Sequence, residues 1–504
     1  MPDPVAGPAV LNPAVPNGPP PRTVDNWHAG HLNGAGGARP HVVVLGGGVC
    51  GLYAARTLLR AGAQVTVLDR FEVPGGLAAG HERGGNYYDF GVHQLHSNDE
   101  AIFDDIKQLM GTQLIPVEKK ALIRYGDGLR RYPLEFFDLI SGVPPWTLAR
   151  AVIGLLVQQA RNRLRPRVPV DAEGALIQLY GRPLYVFFFR DFTHQYWGIP
   201  PTELSAAFVR TRMPRLSAVD VIKKVLWRVG LKEDKSAAAE SAVKEEVLWY
   251  SRTGAREMPL ALAEDIRREG GSVCLESTVV GLDLSAPGDR VTAVRFERGG
   301  AEHTLACDAV LSTIPLGALI RAVGDAAPPD VRTAAAGLRH KPVAVYGLLV
   351  RKPRVLDAMY VYYRGRIFHR LAEPANCGMT VSPPGHTVVL AELTCDVGDD
   401  RWAGGPATRQ RIIADMVAEG LLAQDDIVSV YVRRDEYAYP VFALGFETYL
   451  ARVQGYVGGL ANLRSTGRQG AFCYPNMHGA MRMGADAAQG LMASLAEPTP
   501  APTG

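Results

Sequence analysis

The sequence predicts an α/β fold in which one lobe of buried strands and helices is assembled from discontinuous segments, beside a mixed β-sheet lobe and a helical insertion. Three observations carry that expectation. The stretch "VVVLGGGVCGLYAARTLLRAGAQVTVLDR", Val42 to Arg70, reads as strand, glycine turn, helix and strand in direct succession. Strand text returns in "SVCLESTVVGLDL", "RVTAVRFERGG" and "HTLACDAVLSTIP", and a glycine-rich turn with a helix, "GRQGAFCYPNMHGAMRMGADAAQGL", closes the pattern. Between them, Val343–Val350, Ala358–Tyr363 and Thr387–Leu393 have the apolar runs of a separate sheet. A chain of 504 residues exceeds a single compact core.

Taken in order, residues 1–40 hold nine prolines and no apolar period, so a disordered leader is expected. Residues 41–118 open the nucleotide-binding lobe, with strands at Val42–Leu45 and Val65–Leu68 around a helix at Gly51–Ala61. Residues 119–246 form a largely helical insertion with the substrate pocket ("LEFFDLISGV", "GALIQLYGRPLYVFFFRDFTHQYWG"), ending in the charged loop or frayed helix "LKEDKSAAAESAVKEE". Residues 247–330 return to the first lobe, with a helix at Leu260–Gly270. Residues 331–450 supply the substrate β-sheet lobe and a helix at Arg409–Leu421, 451–495 complete the first lobe, and 496–504 are a disordered tail.

The 54 basic and 51 acidic residues leave a net charge of +3, which gives no reason to expect a nucleic-acid partner. Six cysteines without paired spacing read as reduced thiols of a cytoplasmic protein, and neither CxxC nor HExxH occurs, so no metal is expected. No apolar run approaches the roughly 18 residues of a spanning helix. "AVIGLLV" (Ala151–Val157), followed by "QQARNRLRPR", reads as an amphipathic basic helix, expected to pack on its own protein with solvated arginines, with docking on a membrane surface as the alternative.

Gly46, Gly48 and Gly51 fit G-x-G-x-x-G, a weak string alone, but here a strand precedes it, a helix follows, and Asp69 ends the next strand. Gly46 permits the tight turn, Gly48 lets backbone approach a pyrophosphate, and Gly51 lets helix pack on strand, a Rossmann-like arrangement. The amides at Val49 and Cys50 open the helix and face the phosphates. Asp69 would accept from a ribose hydroxyl. The text beyond it, "DRFEVPGGLAAG", sets Arg70 beside the acid and then Gly75, Gly76 and Leu77. This resembles the flavoprotein continuation of the fingerprint, and "CLESTVVGLDL" is similar to a strand whose backbone near Val279 meets adenine. FAD is therefore expected rather than NAD. No second G-x-G-x-x-G suggests built-in NAD(P)H docking.

From about residue 41 to 492 the chain resembles the FAD superfamily of amine oxidases, protoporphyrinogen oxidases and UDP-galactopyranose mutases, most of all the mutase-like branch. "YYDFGVHQLHSNDEAIFDDI" is similar to the mutase segment G-P-H-x-F-H-T-x, which implies that His93 lies against the flavin, with His96 the second histidine. "FFRDFTHQYWGIPPTELSA" resembles the uridine-pocket helix Y-T-x-x-Q-W, giving Trp197, with Phe192 in a tyrosine place. "RTRMPR" resembles R-x-P-x-R and gives Arg212 and Arg215; "IFHRLAEP" resembles Y-T-R-x-x-E and gives Arg370 and Glu373. "GRQGAFCYPNMHGAM" resembles the closing flavin motif, placing Arg468, Asn476 and Met477 toward the cofactor and Tyr474 in the substrate pocket. Arg339 is a looser match to a phosphate-side arginine.

Two chemistries follow from the resemblance. In an oxidoreductase acting on a small polar or sugar-linked metabolite, a substrate C–H gives hydride to flavin N5. In a mutase-like isomerase the reduced flavin is the nucleophile and arginines (Arg212, Arg215, Arg339, Arg370) clamp the diphosphate of a nucleotide sugar. His93, Arg339 and Arg370 are the candidate catalytic residues, with His93 tuning the flavin or shuttling protons near pH 7. A third reading is a flavin-binding partner protein without turnover. The missing tyrosine hydroxyls at Phe192 and Phe472 favour the oxidoreductase, because phenylalanine cannot donate to a phosphate.

Overall fold

A computed structural model describes residues 39–96, 98–125, 128–131, 145–212, 247–286 and 288–496. The expected leader up to residue 38, the tail from 497, "LEFFDLISGV", the charged stretch before 247, and Arg215 lie outside the described residues, as does the Arg212 side chain.

A five-stranded parallel sheet has the order Ser272–Cys274, Gln64–Leu68, His41–Leu45, Ala309–Ser312, Leu463–Ser465, so its strands come from segments far apart in the chain. The apolar runs are continuous because both faces are covered. Val42 and Val44 pack with Leu52, Leu58, Leu262, Ile266, Met481 and Leu491 on one side. Val43 and Leu45 pack with Val310, Leu316, Leu319 and Phe296 on the other. Helix Val49–Arg60 lies against helix Met477–Ala496, and a side chain at Gly484 would collide with the Cys50 carbonyl. Helix Glu257–Arg268 covers the same face, and the buried Arg56 ties it down by pairing with Asp265. Both helices start earlier than expected, by two and three residues.

Two segments expected as single strands each break into two. "SVCLESTVVGLDL" gives Ser272–Cys274 in the parallel sheet and Thr278–Leu284 in a separate antiparallel sheet with Val291–Arg298 and Ala301–Ala306. The chain turns at Glu276, whose φ is 52°, while Asp69 binds both sides of the turn through Cys274 O and Ser277 N. "HTLACDAVLSTIP" likewise divides at Cys307–Asp308 between the two sheets.

The second large sheet has seven strands in the order Ile427–Pro440, His340–Val350, Thr387–Thr394, Arg370–Ala372, Tyr360–Tyr362, Ala121–Tyr125, Gly128–Arg131. It is mixed, because Tyr360–Tyr362 runs parallel to Ala121–Tyr125 and the other pairs are antiparallel. Ala121–Tyr125 and Gly128–Arg131, expected within the helical insertion, therefore belong to this sheet. The 14-residue strand Ile427–Pro440 was not anticipated, because its charged residues hide the alternation. Helices Pro145–Leu164, Ala172–Tyr180 and Arg190–Trp197 follow between residues 145 and 197.

Candidate active site

A cavity of about 720 Å³ opens beyond the carboxyl ends of strands His41–Leu45, Gln64–Leu68 and Ala309–Ser312, where an open α/β sheet receives its ligand. Gly46, Gly48, Val49, Cys50, Asp69, Arg70, Gly75, Gly76, Leu77 and Val279 line one end. His93, Gln94, His96, Tyr360, Arg370, Arg468, Asn476 and Met477 line the other.

The glycine turn is built for close approach. Gly46 sits at φ +99°, in the left-handed region that excludes most side chains. Gly51 does not line the cavity; a Cβ there would overlap the Gly46 carbonyl oxygen, so it keeps the helix against the turn. Gly48 is the reverse case, since an added Cβ would meet no atom within 4 Å and would stand in the open cavity. Gly75 N donates to Gly47 O at 2.7 Å and Gly75 pairs with Gly48, which joins the second glycine pair to the first turn.

Gly48 caps helix Val49–Arg60 without any side-chain acceptor, and its first turn carries no acid. Its free amides and dipole therefore point at the cavity as an anion site. Asp69 accepts from Gly47 N at 2.6 Å and from Phe71 N at 2.8 Å, so it also holds the turn it was expected only to follow. Burial raises its pKa against these two amides and Arg70. Arg70 pairs with Glu436 at 2.9 Å and lies over Phe71 and Tyr437. The cradle, the uncapped helix start and the cavity volume fit a dinucleotide with its diphosphate at the glycine turn.

At the other end, Arg370 is engaged face to face with Glu392, with Nε–Oε1 and Nη2–Oε2 both 2.7 Å. The guanidinium also lies 5.3 Å from the Tyr360 ring centre and 5.7 Å from that of Tyr362. Burial opposes the charge on Arg370, but Glu392 and the neighbouring tyrosines hold it firmly protonated. Gly91 of "FGVHQLH" is at φ +84°, and a Cβ there would come within 2.9 Å of Glu392 and 3.3 Å of Arg370. The glycine thus lets the His93 loop rest on the ion pair.

The surroundings of His93 oppose the protonation that a shuttle near pH 7 needs. Burial, helped by the charges of Arg370 and Arg468, pushes its pKa down to about 3. Its Nδ1 is 3.3 Å from the Gly91 carbonyl, which can only accept, so Nδ1 carries the proton and Nε2 remains an acceptor. We expect a pH titration of the bound flavin's absorbance from 5 to 8 to show no transition that a His93→Asn variant removes. A transition in that range lost with the imidazole would contradict a permanently neutral ring.

The other expected residues divide sharply. Arg468 lines the cavity, donates to Pro475 O at 3.0 Å, and lies over Tyr474. Trp197, Phe192, Tyr474 and Arg339 do not line it. Trp197 is core, edge-on to Phe208 and beside Tyr439 and Tyr474. Phe192 is half-buried against Tyr196, and Arg339 is exposed. Glu373 is buried as a loop anchor, accepting from Val355 N, Leu356 N and Thr387 Oγ1. Sequence reasoning missed Glu392, Tyr360, Asp435, Glu436 and Tyr437. The signal for Glu392 was an acid within the apolar run "TVVLAELT"; for the last three it was the charged string "RRDE" inside aromatic strand text.

Fold and cavity together define an α/β dinucleotide-binding enzyme in which the second sheet contributes Tyr360, Arg370, Asp435, Glu436 and Tyr437 to the cavity wall. The family model of the flavin containing amine oxidoreductases matches residues 49–492, and the chain belongs to that family. It is accordingly a flavin-dependent enzyme with FAD as its cofactor. A phytoene dehydrogenase of Streptomyces griseus is 28% identical over 338 residues, 60% of this chain and 59% of the relative. The match thus spans less than two thirds of that protein. Among solved structures, a reduced UDP-galactopyranose mutase matches with a TM-score of 0.75 at 20% identity, covering 91% of this chain and 96% of the other. A protein described as a protoporphyrinogen oxidase from Exiguobacterium sp. 255-15 matches with 0.64 at 16%, covering 91% and 100%. These likenesses establish the fold. All six cysteines are free, and among the described residues no helix is long and apolar enough to cross a membrane.

Proposed function

We propose that this chain is an FAD-dependent oxidoreductase acting on a small polar or sugar-linked metabolite, rather than a sugar-nucleotide mutase. The observation that carries the reading is the Arg370–Glu392 pair. Of the four arginines expected to clamp a diphosphate, Arg370 alone has a described side chain at the cavity, and its donor fork is already met by a carboxylate. A diphosphate there would meet a neutralised guanidinium and a neighbouring negative charge.

In this reading Gly46, Gly48, Val49, Cys50, Gly75, Gly76 and Leu77 hold the diphosphate stretch of FAD, Asp69 and Arg70 face its ribose, and Val279 its adenine. Bound FAD supplies a hydride acceptor. Arg468, Asn476 and Met477 face its ring end, where the start of helix Met477–Ala496 brings a positive dipole to bear. His93 Nε2 offers a fixed acceptor, and Tyr360, Tyr362 and the Arg370–Glu392 pair wall the far end. The Cys50 thiol, pushed up to about 12 by burial, stays protonated and takes no part as a nucleophile. In this reading the substrate lies against the seven-stranded sheet, which supplies Tyr360 and Arg370 to the cavity.

Mixing dithionite-reduced protein with UDP-galactopyranose tests the choice. We expect no furanose product and no effect of UDP on the flavin spectrum. Furanose formation would replace the oxidoreductase by the mutase-like reading.

A further inference from the structure

We propose that helix Pro145–Leu164 and the chain that follows it to Val170 form a docking surface for a membrane rich in anionic lipid. The helix was expected to pack on its own protein with solvated arginines, and half of that holds. Ala151 and Leu155 are buried, and Gly154 closes on Pro183 and Gly181. The opposite face is also apolar, and it is uncovered. Trp146, Ile153, Val157 and Leu164 are 64%, 59%, 43% and 82% exposed. At 3.6 residues per turn these four fall within about 40° of one another around the axis. Val168 and Val170 continue the exposed apolar surface at 87% and 74%.

The charge around this stripe is of one sign. Arg150, Arg161, Arg163, Arg165 and Arg167 are exposed, and no acidic residue occurs between Asp138 and Asp171. Arg150 and Arg161 flank the stripe on one side and Arg163 on the other, the arrangement in which apolar side chains enter the acyl boundary while guanidinium groups reach up to phosphates. Trp146, at the helix start, is the residue type enriched at that boundary. The charges argue against the other occupants. A second copy would set five arginines against five. The undescribed segment 213–246 carries seven basic residues against six acidic ones, so it brings no net negative charge to answer the arginines. The surface is peripheral, because no described helix is apolar enough to span.

The test is co-sedimentation of the full-length flavin-loaded protein with vesicles of phosphatidylcholine alone or mixed with phosphatidylglycerol. Binding is expected to the mixed vesicles only, and to weaken as salt is raised. Arg161→Gln with Arg163→Gln should lower the partition coefficient about 25-fold, at about fivefold per arginine. Ile153→Glu with Val157→Glu should abolish it while flavin content stays unchanged. Should the glutamate variant not fold, the arginine variant, altered only at exposed positions, decides alone. The inference is overturned if the wild type binds neither vesicle or binds both equally, or if the variants bind like wild type. It is equally overturned if ultracentrifugation shows a dimer that Val157→Glu dissociates.

Discussion

Gly48→Val yields a folded protein that no longer retains FAD. The glycine sits at φ −70°, ψ 170°, a conformation open to any residue, and a Cβ there touches no atom of the protein. The fold therefore tolerates the substitution, and the whole side chain projects into the space that the diphosphate requires. Losing two charge-assisted hydrogen bonds to the helix start, at about 1.5–3 kcal/mol each, weakens binding by roughly 10²–10⁴. The check is flavin absorbance per mole of protein beside a thermal melt of the apoprotein. Gly51→Val is the control with the opposite signature: its side chain would strike the Gly46 carbonyl and Thr313, so the melt itself collapses. Full flavin in Gly48→Val would remove the cradle from the account.

That contrast also shows why this part of the molecule was legible. The roles of Gly46, Gly48 and Gly51 are local: a turn, an approach and a helix contact within six residues, written as residue type and spacing. Asp69 was found by the same route, yet its bond to Gly47 N was not, because spacing does not say which atoms a carboxylate faces. The ring end of the cavity is written across residues 91, 360, 370 and 392, which only strand register brings together. Arg370 lies opposite Glu392 because Arg370–Ala372 pairs antiparallel with Thr387–Thr394. Trp197 failed for a related reason. A tryptophan on a helical pattern is the same text whether its face meets ligand or Phe208 and Tyr439, and here packing took it. The split strands at Glu276 and Asp308 were lost because an apolar run does not record a change of sheet.

Glu392→Ala lowers stability by about 3–5 kcal/mol, since it strands the buried Arg370 guanidinium beside His93 and His369, whose rings are held neutral with pKa values of about 3. The double variant Arg370→Met, Glu392→Leu recovers most of that loss, because replacing a buried pair by apolar groups of similar volume removes both desolvation costs. Urea unfolding of the three proteins measures the difference. The more telling variant is Glu392→Gln, which keeps the shape and removes the charge that occupies the arginine fork. If neutralisation is what keeps diphosphates out, UDP should perturb the flavin spectrum of Glu392→Gln and leave that of the wild type unchanged. Equal UDP binding by both proteins would show that Arg370 is available to phosphate despite its partner, and the argument for an oxidoreductase would lose its support. On the proposed oxidoreductase reading, the pair is a wall element whose charge is answered from within the sheet, which would leave room for a neutral or weakly polar substrate and deny a clamp to a dianion.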